Sequence, residues 1–207
     1  MSLAKKRFDD TISRCRDLVN LHLTQITNDD LLRAAVVFAI SALDMFAIDR
    51  FMEEFVGYIR RFKVDDSVAK LLEKNGFTAQ VAIGLIKGES ERPMRLIRTL
   101  VERGYAKTSM QSFESIDGLY AIYKLGTLTK NAERRLNRKN LRLSIEKLIH
   151  RRHEIVHAAD YNGKNQLQGV EAEDVLRRIN DLAKFVDSMD AIICNKFKRK
   201  RCKRKAK

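Results

Sequence analysis

Three of the four histidines in this 207-residue chain fall within the eight-residue segment His-Arg-Arg-His-Glu-Ile-Val-His, residues 150–157. A histidine with an ordinary pKa near ~6.5 exchanges a proton at neutral pH, and an arginine holds phosphate oxygens with paired donors. Metal-free RNA cleavage needs a base, an acid and a fixed cation beside the phosphate. The segment therefore carries the residue types that this chemistry requires.

Helical spacing separates the arginine of this segment from its histidines. At ~100° per residue, Glu146, His150, His153 and His157 fall within about 60° of one another and form a polar face. Arg152 lies on the opposite side, within the apolar stripe formed by Leu141, Ile145, Leu148, Ile155 and Ala159.

A charge within an apolar stripe is costly unless it is paired or faces a ligand. In the plain structural interpretation, Arg152 lies at the edge of the core and pairs with an acid such as Asp44, while the histidines decorate a solvated face. In the functional interpretation, Arg152 faces a phosphate. The local pattern leaves both open.

Wider features of the sequence resemble a known family. Residues 152–157 match the R-x4-6-H motif of the HEPN superfamily, and the run RRHEIVHAAD has the usual form of its motif helix. Residues 31–46, LLRAAVVFAISALDMF, look like the long family helix that carries a Ser-Ala-Leu-Asp segment. A final amphipathic helix follows the motif. The resemblance is to prokaryotic HEPN nucleases of the RiboL-PSP type, over about residues 31–62 and 141–193.

The resemblance implies an all-α, HEPN-like helical bundle that homodimerises and cuts RNA in a shared cleft without a metal or cofactor. Arg152 would stabilise the phosphate, His157 would be the general acid or base, and His153 would assist, although it replaces the usual asparagine or aspartate. Asp44 would orient Arg152. The implied setting is a prokaryotic toxin or antiviral defence effector, with RNA and an antitoxin or regulatory protein as partners.

The residues themselves also favour a dimer. An ideal helix places Arg152 and His157 about 140° apart, so one chain points both at one phosphate only if the helix loosens near His157. A cleft between two copies relieves this difficulty.

Two other functions remain open. One is a noncatalytic HEPN module that binds RNA, a nucleotide or a partner protein. The other is a zinc hydrolase, because residues 153–157 also read His-Glu-x-x-His, the pattern of two zinc ligands and a catalytic glutamate. A third ligand is poorly supplied, since Glu171, Glu173 and Asp174 lie close to the motif and Asp160 replaces the glycine of the extended motif.

The charge of the chain points to a polyanionic partner. Its formal net charge is +14, and residues 196–207 carry nine basic side chains and no acid. We expect a disordered tail there that contacts nucleic acid without sequence preference. With Arg151, the predicted nucleic-acid contacts are Lys198, Arg199, Lys200 and Arg201. Anionic lipid and simple solubility are the alternatives.

The elements that must position these residues are helices. Only one proline, nine glycines and no tryptophan occur, too few turn formers for a many-stranded fold. Apolar spacing predicts a first helix through residues 8–22, a long helix over 28–62 capped by Asn28, the motif helix over 141–159 capped by Asn140, and a last helix over 172–196. Shorter helices are predicted before Gly76, Gly88, Gly104 and Gly126.

Composition bounds the class of protein. With 44% apolar residues, the chain suits one domain over residues 1–195, of which 64–130 is a less certain insertion. The apolar run of residues 34–43 is short for a bilayer span, and no signal peptide opens the chain, so we expect a cytoplasmic protein without a membrane partner. Cys15, Cys194 and Cys202 suggest neither a disulfide framework nor a zinc site.

Overall fold

Nine α-helices make up the part of the chain that the computed structural model describes, which is residues 1–62, 64–88, 92–106 and 108–204, without the side chains of 199–204. They are α1 (Leu3–Thr24), α2 (Asp29–Arg61), α3 (Asp66–Lys74), α4 (Ala79–Ile86), α5 (Pro93–Tyr105), α6 (Phe113–Ala121), α7 (Leu128–Leu136), α8 (Leu141–Ala158) and α9 (Ala172–Arg204). Within those ranges the only β pairing is one isolated bridge, Tyr161 with Leu167. The predicted all-α fold class is confirmed.

Helix α2 is the centre of the bundle. The side chain of Asn28 caps it by accepting a hydrogen bond from the backbone N–H of Asp30 at 2.9 Å, as predicted. Helix α1 packs along α2 as the predicted hairpin, and α8 and α9 cover other sides. Arg50 of α2, which is 3% exposed, binds Asp190 of α9 at 2.7 Å. Helices α1, α8 and α9 therefore all pack against this one helix.

The apolar character of α2 follows from this central position. By length and mean hydropathy it is the one helix in the described ranges that could cross a membrane. However, 56% of its most apolar window is buried inside the bundle. Packing by α1, α8 and α9 therefore accounts for its composition.

An aromatic cluster joins the far ends of α2 and α9. Phe197 is 5% exposed and meets Tyr123 edge-on, with ring centroids 5.2 Å apart, and Tyr58 at 6.5 Å. The Tyr58 hydroxyl donates to the Ile122 carbonyl at 2.9 Å. Phe197, assigned to the tail from the sequence, therefore belongs to the core, and this contact explains why α9 continues past residue 196. Residues 205–207 lie outside the described part of the chain.

The segment between residues 64 and 130 contains the short helices α3 to α6, as predicted, and the unpredicted helix α7 begins at its end and continues to Leu136. Gly76 and Gly88 follow α3 and α4 with φ of 88° and 77°, as expected for glycine C-caps. The predicted stop before Gly104 is wrong, because α5 continues to Tyr105. A Cβ at Gly104 would lie 1.4 Å from Oδ1 of Asn75, so this glycine permits close packing against the end of α3.

Cys15 gives a test of the packing between α1 and α2. Its side chain is fully buried, and burial raises the pKa of its thiol to about 11, from an ordinary value of 9.0. Because the thiolate is the nucleophile, we expect iodoacetamide at pH 8 to alkylate Cys15 about 100-fold more slowly than in the unfolded chain. Mass spectrometry of the tryptic peptides would measure this ratio, with the protein in guanidinium chloride as the reference. Equal rates would contradict the packing.

The same burial predicts a pH dependence. Because the pKa of the Cys15 thiol is higher in the folded than in the unfolded chain, folding favours the protonated thiol. This contribution to stability is complete below about pH 9 and is lost as the pH rises towards 11. The free energy of unfolding of the native protein should therefore fall more steeply over this range than that of Cys15→Ala.

Candidate functional site

Helix α8 presents its polar groups on two different sides, as the sequence predicts. It spans Leu141–Ala158, within one residue of the expected end, and Leu141, Ile145 and Leu148 are buried in the core. Asn140 stands at the N-cap position, but its side chain makes no capping hydrogen bond there. Beside this core face, neighbouring residues of the motif turn towards two separate cavities.

The first cavity contains Arg152. It has a volume of about 420 Å³ and is open to solvent between α2, the end of α5 and α8. Arg152 is half-buried, and its Nε atom is buried without a hydrogen-bond partner among the described residues. A guanidinium that lines a cavity and leaves a buried donor unused can accept an anion there.

Asp44 lines the same cavity but does not pair with Arg152. Its carboxylate accepts hydrogen bonds from the backbone N–H of Met110 at 2.7 Å and from Nε2 of Gln111 at 3.2 Å. Within the described ranges no ion pair joins Asp44 to Arg152, so the pairing that the plain structural interpretation proposes is wrong. Asp44 binds the loop of residues 108–112 to α2 and does not contact Arg152 among the described residues, so the implied role of Asp44 in orienting Arg152 is also wrong.

The second cavity contains the histidine face of α8. Its volume is about 400 Å³, and Glu146, Ile149, His150 and His153 form one wall. The other wall is the loop and the start of α6, with Gln111, Ser112, Phe113 and Glu114. Gln111 lines both cavities, so they are neighbours across one side chain.

His157 lies one helical turn beyond His153 and is exposed. The two imidazole rings are 4.4 Å apart between centroids, tilted by 45°. His157 lines neither of the two cavities, and α8 is regular through Ala158. The structure therefore brings His153 and His157 together and leaves Arg152 on another side of the same helix.

A buried ion-pair network fixes the chain just after the motif. Asp160, which is fully buried, binds Nε of Arg33 at 2.6 Å and Nη2 of Arg151 at 2.9 Å. Both guanidiniums also donate to the Gln168 carbonyl, at 2.8 Å from Arg33 and 3.3 Å from Arg151. Burial acts to lower the pKa of Arg33, but hydrogen bonds to Asp160 and Asp30 outweigh it and raise that pKa.

The network explains how α8 ends. Ala159 and Asp160 have φ of 47° and 64°, in the left-handed region, and the backbone N–H of Asp160 donates to the Glu154 carbonyl at 3.2 Å. Helix α8 therefore ends at Ala158, one residue before the predicted end. The geometry favours a structural role for Arg151 over the predicted nucleic-acid contact, because its guanidinium is engaged by Asp160.

The donor set for zinc is incomplete. His153 and His157 lie one turn apart, but Glu154 is drawn towards His150 at 3.6 Å and Arg151 at 3.5 Å. Over the described ranges no group of three or more His, Cys, Asp or Glu side chains could hold a metal ion. A catalytic zinc site needs a third protein ligand, and the described residues supply none beside His153 and His157.

Comparison with known families decides which of these resemblances holds. Residues 9–195 match the family model described as RiboL-PSP-HEPN. The chain belongs to the RiboL-PSP-HEPN family. The HEPN match also covers residues 64–130, which the sequence resemblance does not align. No curated protein and no solved structure gives a match.

In this HEPN domain, the R-x4-6-H motif is Arg152 to His157 on α8. Of the predicted tail contacts, Lys198 is exposed, whereas the side chains of Arg199, Lys200 and Arg201 lie outside the described residues. The sequence did not predict that Gln111 lines both cavities, nor that Arg33 and Asp160 form a buried ion pair. A signal for Arg33 did exist: like Arg152, it interrupts an apolar helical run, Leu-Leu-Arg-Ala-Ala.

Proposed function

We propose that this HEPN domain is a metal-independent endoribonuclease whose active site forms between two copies of the chain. The observation that carries the proposal is the free guanidinium of Arg152. Three other arginines on α2 and α8 are paired: Arg33 and Arg151 bind Asp160, and Arg50 binds Asp190. Arg142 on α8 also has a buried Nε without a partner among the described residues, but its guanidinium lies over the ring of Phe113 at 4.5 Å. Arg152 instead lines an open cavity with a buried donor unused.

The proposed reaction uses the 2′-hydroxyl of the RNA as the nucleophile. His157 takes the proton from the 2′-oxygen or gives one to the leaving 5′-oxygen. The 2′-oxygen then forms a bond to phosphorus as the bond to the 5′-oxygen breaks, leaving a 2′,3′-cyclic phosphate and a 5′-hydroxyl. Arg152 neutralises the charge that develops on the phosphorane oxygens, and His153, in ring contact with His157, assists it.

The dimer follows from where these side chains lie. Arg152 and His157 stand on different sides of one regular helix, so a second copy must supply the missing partner at each phosphate. Exposed apolar side chains near the site give the second copy a surface: Met45 on α2 lines the Arg152 cavity and is 36% exposed, and Val156 on α8 is 47% exposed.

Complementation tests the shared site. In a dimer of one Arg152→Ala chain and one His157→Ala chain, one of the two sites retains both groups. Random pairing of equal amounts should therefore restore about a quarter of the native activity towards RNA, from two variants that are each inactive. The measurement is cleavage of a labelled RNA in excess EDTA after the variants are mixed and allowed to exchange.

Each outcome is informative. No recovery, with exchange shown by mass spectrometry of tagged chains, would refute the shared site. A native dimer that binds RNA but never cuts it would support the noncatalytic module. Cleavage that stops in EDTA, or proteolysis, would favour a metal hydrolase. A toxin or defence role in the cytoplasm, with an antitoxin or regulatory partner, belongs to the same proposal and rests on the family resemblance.

A further inference from the structure

The cavity beside the histidine face has the composition of a small-ligand site. Its volume of about 400 Å³ falls in the usual range of about 300–1,000 Å³ for such sites. Phe113 and Ile149 supply apolar surface, and Gln111, His150 and Glu146 supply polar groups from two facing walls. A flat ring that enters between α8 and the start of α6 would meet apolar atoms and donors and acceptors together.

Two carboxylates in this cavity are unpaired. Glu114 and Glu146 are both exposed to solvent, and neither has a hydrogen bond or an ion pair within the described part of the chain, although the protein has 41 lysines and arginines and a net charge of +14. Carboxylates repel phosphates, so they do not serve the RNA backbone. They accept hydrogen bonds, and the N–H donors that an RNA offers them belong to its bases.

The position of the cavity links it to the phosphate site. Gln111 lines both this cavity and the one that contains Arg152, and Arg152 and His153 are consecutive on α8. The base and the phosphate of a nucleotide are joined through one sugar, so they need neighbouring sites. The two cavities meet this requirement.

From this geometry we infer that the cavity lined by Glu114, Glu146, Gln111 and His150 binds a guanine base of the RNA next to the phosphate held by Arg152. This inference rests on the proposed function. Guanine carries two adjacent donors, N1–H and N2–H, and one carboxylate can accept hydrogen bonds from both. It also carries two acceptors, O6 and N7, which can accept hydrogen bonds from the amide of Gln111 or the imidazole of His150. Adenine lacks the paired donors.

A binding experiment separates this inference from catalysis. The probes are fluorescein-labelled 2′-O-methyl heptamers of uridine with guanine, inosine or adenine at the centre, which cannot be cleaved because the 2′-oxygen is blocked. At a fixed salt concentration, fluorescence anisotropy should give a Kd about tenfold lower for guanine than for adenine. Inosine, which keeps N1–H but lacks the 2-amino group, should fall between them.

The variants assign the preference to the carboxylates. In Glu114→Gln/Glu146→Gln, the ratio of the adenine to the guanine Kd should fall to about one, because the amides offer N–H groups where guanine needs acceptors. Removing negative charge also raises the affinity for any RNA, so the matched control is Glu73→Gln/Glu173→Gln, which removes the same two charges from exposed glutamates on α3 and α9. The control should keep the tenfold ratio.

Equal affinity of the native protein for the three heptamers, or no binding to any of them, would overturn the guanine site. A ratio that survives the double substitution would also overturn it. The native protein could prefer guanine, and the double substitution could remove that preference, while RNA with free 2′-hydroxyls is never cut. In that case the inference stands and the proposed nuclease activity fails.

Discussion

Replacing Arg152 by alanine should lower the rate of EDTA-resistant RNA cleavage by about 10²–10³-fold, the usual cost of removing one group that stabilises a developing oxyanion. Its guanidinium lies in an open cavity, and its buried Nε atom has no hydrogen-bond partner among the residues that the structure describes. The substitution therefore removes a ligand contact and not a structural one, and the thermal midpoint should change little. The measurement is single-turnover cleavage of a labelled RNA, paired with a circular dichroism melt.

Controls separate catalysis from charge and from folding. Arg135→Ala removes an equal charge from an exposed site on α7 and should leave the cleavage rate nearly unchanged. Arg152→Lys keeps the charge but loses the paired donors, so it should recover only part of the rate. His157→Ala should cost about 10²–10⁴-fold. A native rate in Arg152→Ala would refute the proposed phosphate site.

Asp160→Asn should lower the free energy of unfolding by about 3–5 kcal/mol, the usual cost of breaking a buried ion pair from one side. Asp160 is fully buried and pairs with Arg33, whose side chain is 9% exposed, and with Arg151, whose side chain is 19% exposed. Both cations would be left without their common carboxylate. Asparagine has the same shape and tolerates the left-handed φ of 64°, so backbone strain does not contribute.

Urea unfolding followed by circular dichroism measures this difference. Asp10→Asn is the matched control, because Asp10 is exposed and has no partner in the described structure, and its effect should stay within about 0.5 kcal/mol. A loss for Asp160→Asn as small as that of the control would show that the network contributes no stability. Because Asp160 fixes the chain three residues after His157, the variant should also lose RNA cleavage while Arg152 stays in place.

Local signals were sufficient to predict the main helices and the sides of α8. Asn28 caps α2 as expected, and the 3.6-residue period separates Arg152 from His153 correctly. Both features depend on residues within one or two turns of each other, which is the range over which helical geometry acts. The candidate site was found for the same reason, since a charge in an apolar stripe is visible in the sequence.

Contacts between distant residues could not be predicted. Asp44 was expected to meet Arg152, but it binds the loop at Met110 and Gln111, more than sixty residues away in sequence. The pair of Arg33 and Asp160 spans 127 residues. Gly104 was predicted to end a helix because glycine often follows the last turn of a helix. In the structure, the absence of a side chain at Gly104 leaves room for the side chain of Asn75. Such facts depend on the packing of several helices.

The aromatic anchor of Phe197 determines how the basic end of the chain can act on RNA. Tyr58, which it contacts, lies six residues after Met52 and fourteen after Asp44 on α2, so about 9 to 21 Å of helix separates the start of the basic run from the Arg152 cavity. If the proposed nuclease activity holds, cations that begin there would contact a strand outside the cavity and not at the bond that is cut. Oligonucleotides too short to span that distance would be cut equally well by the full chain and by one that ends at Lys198. Only longer substrates would be cut less well by the shortened chain.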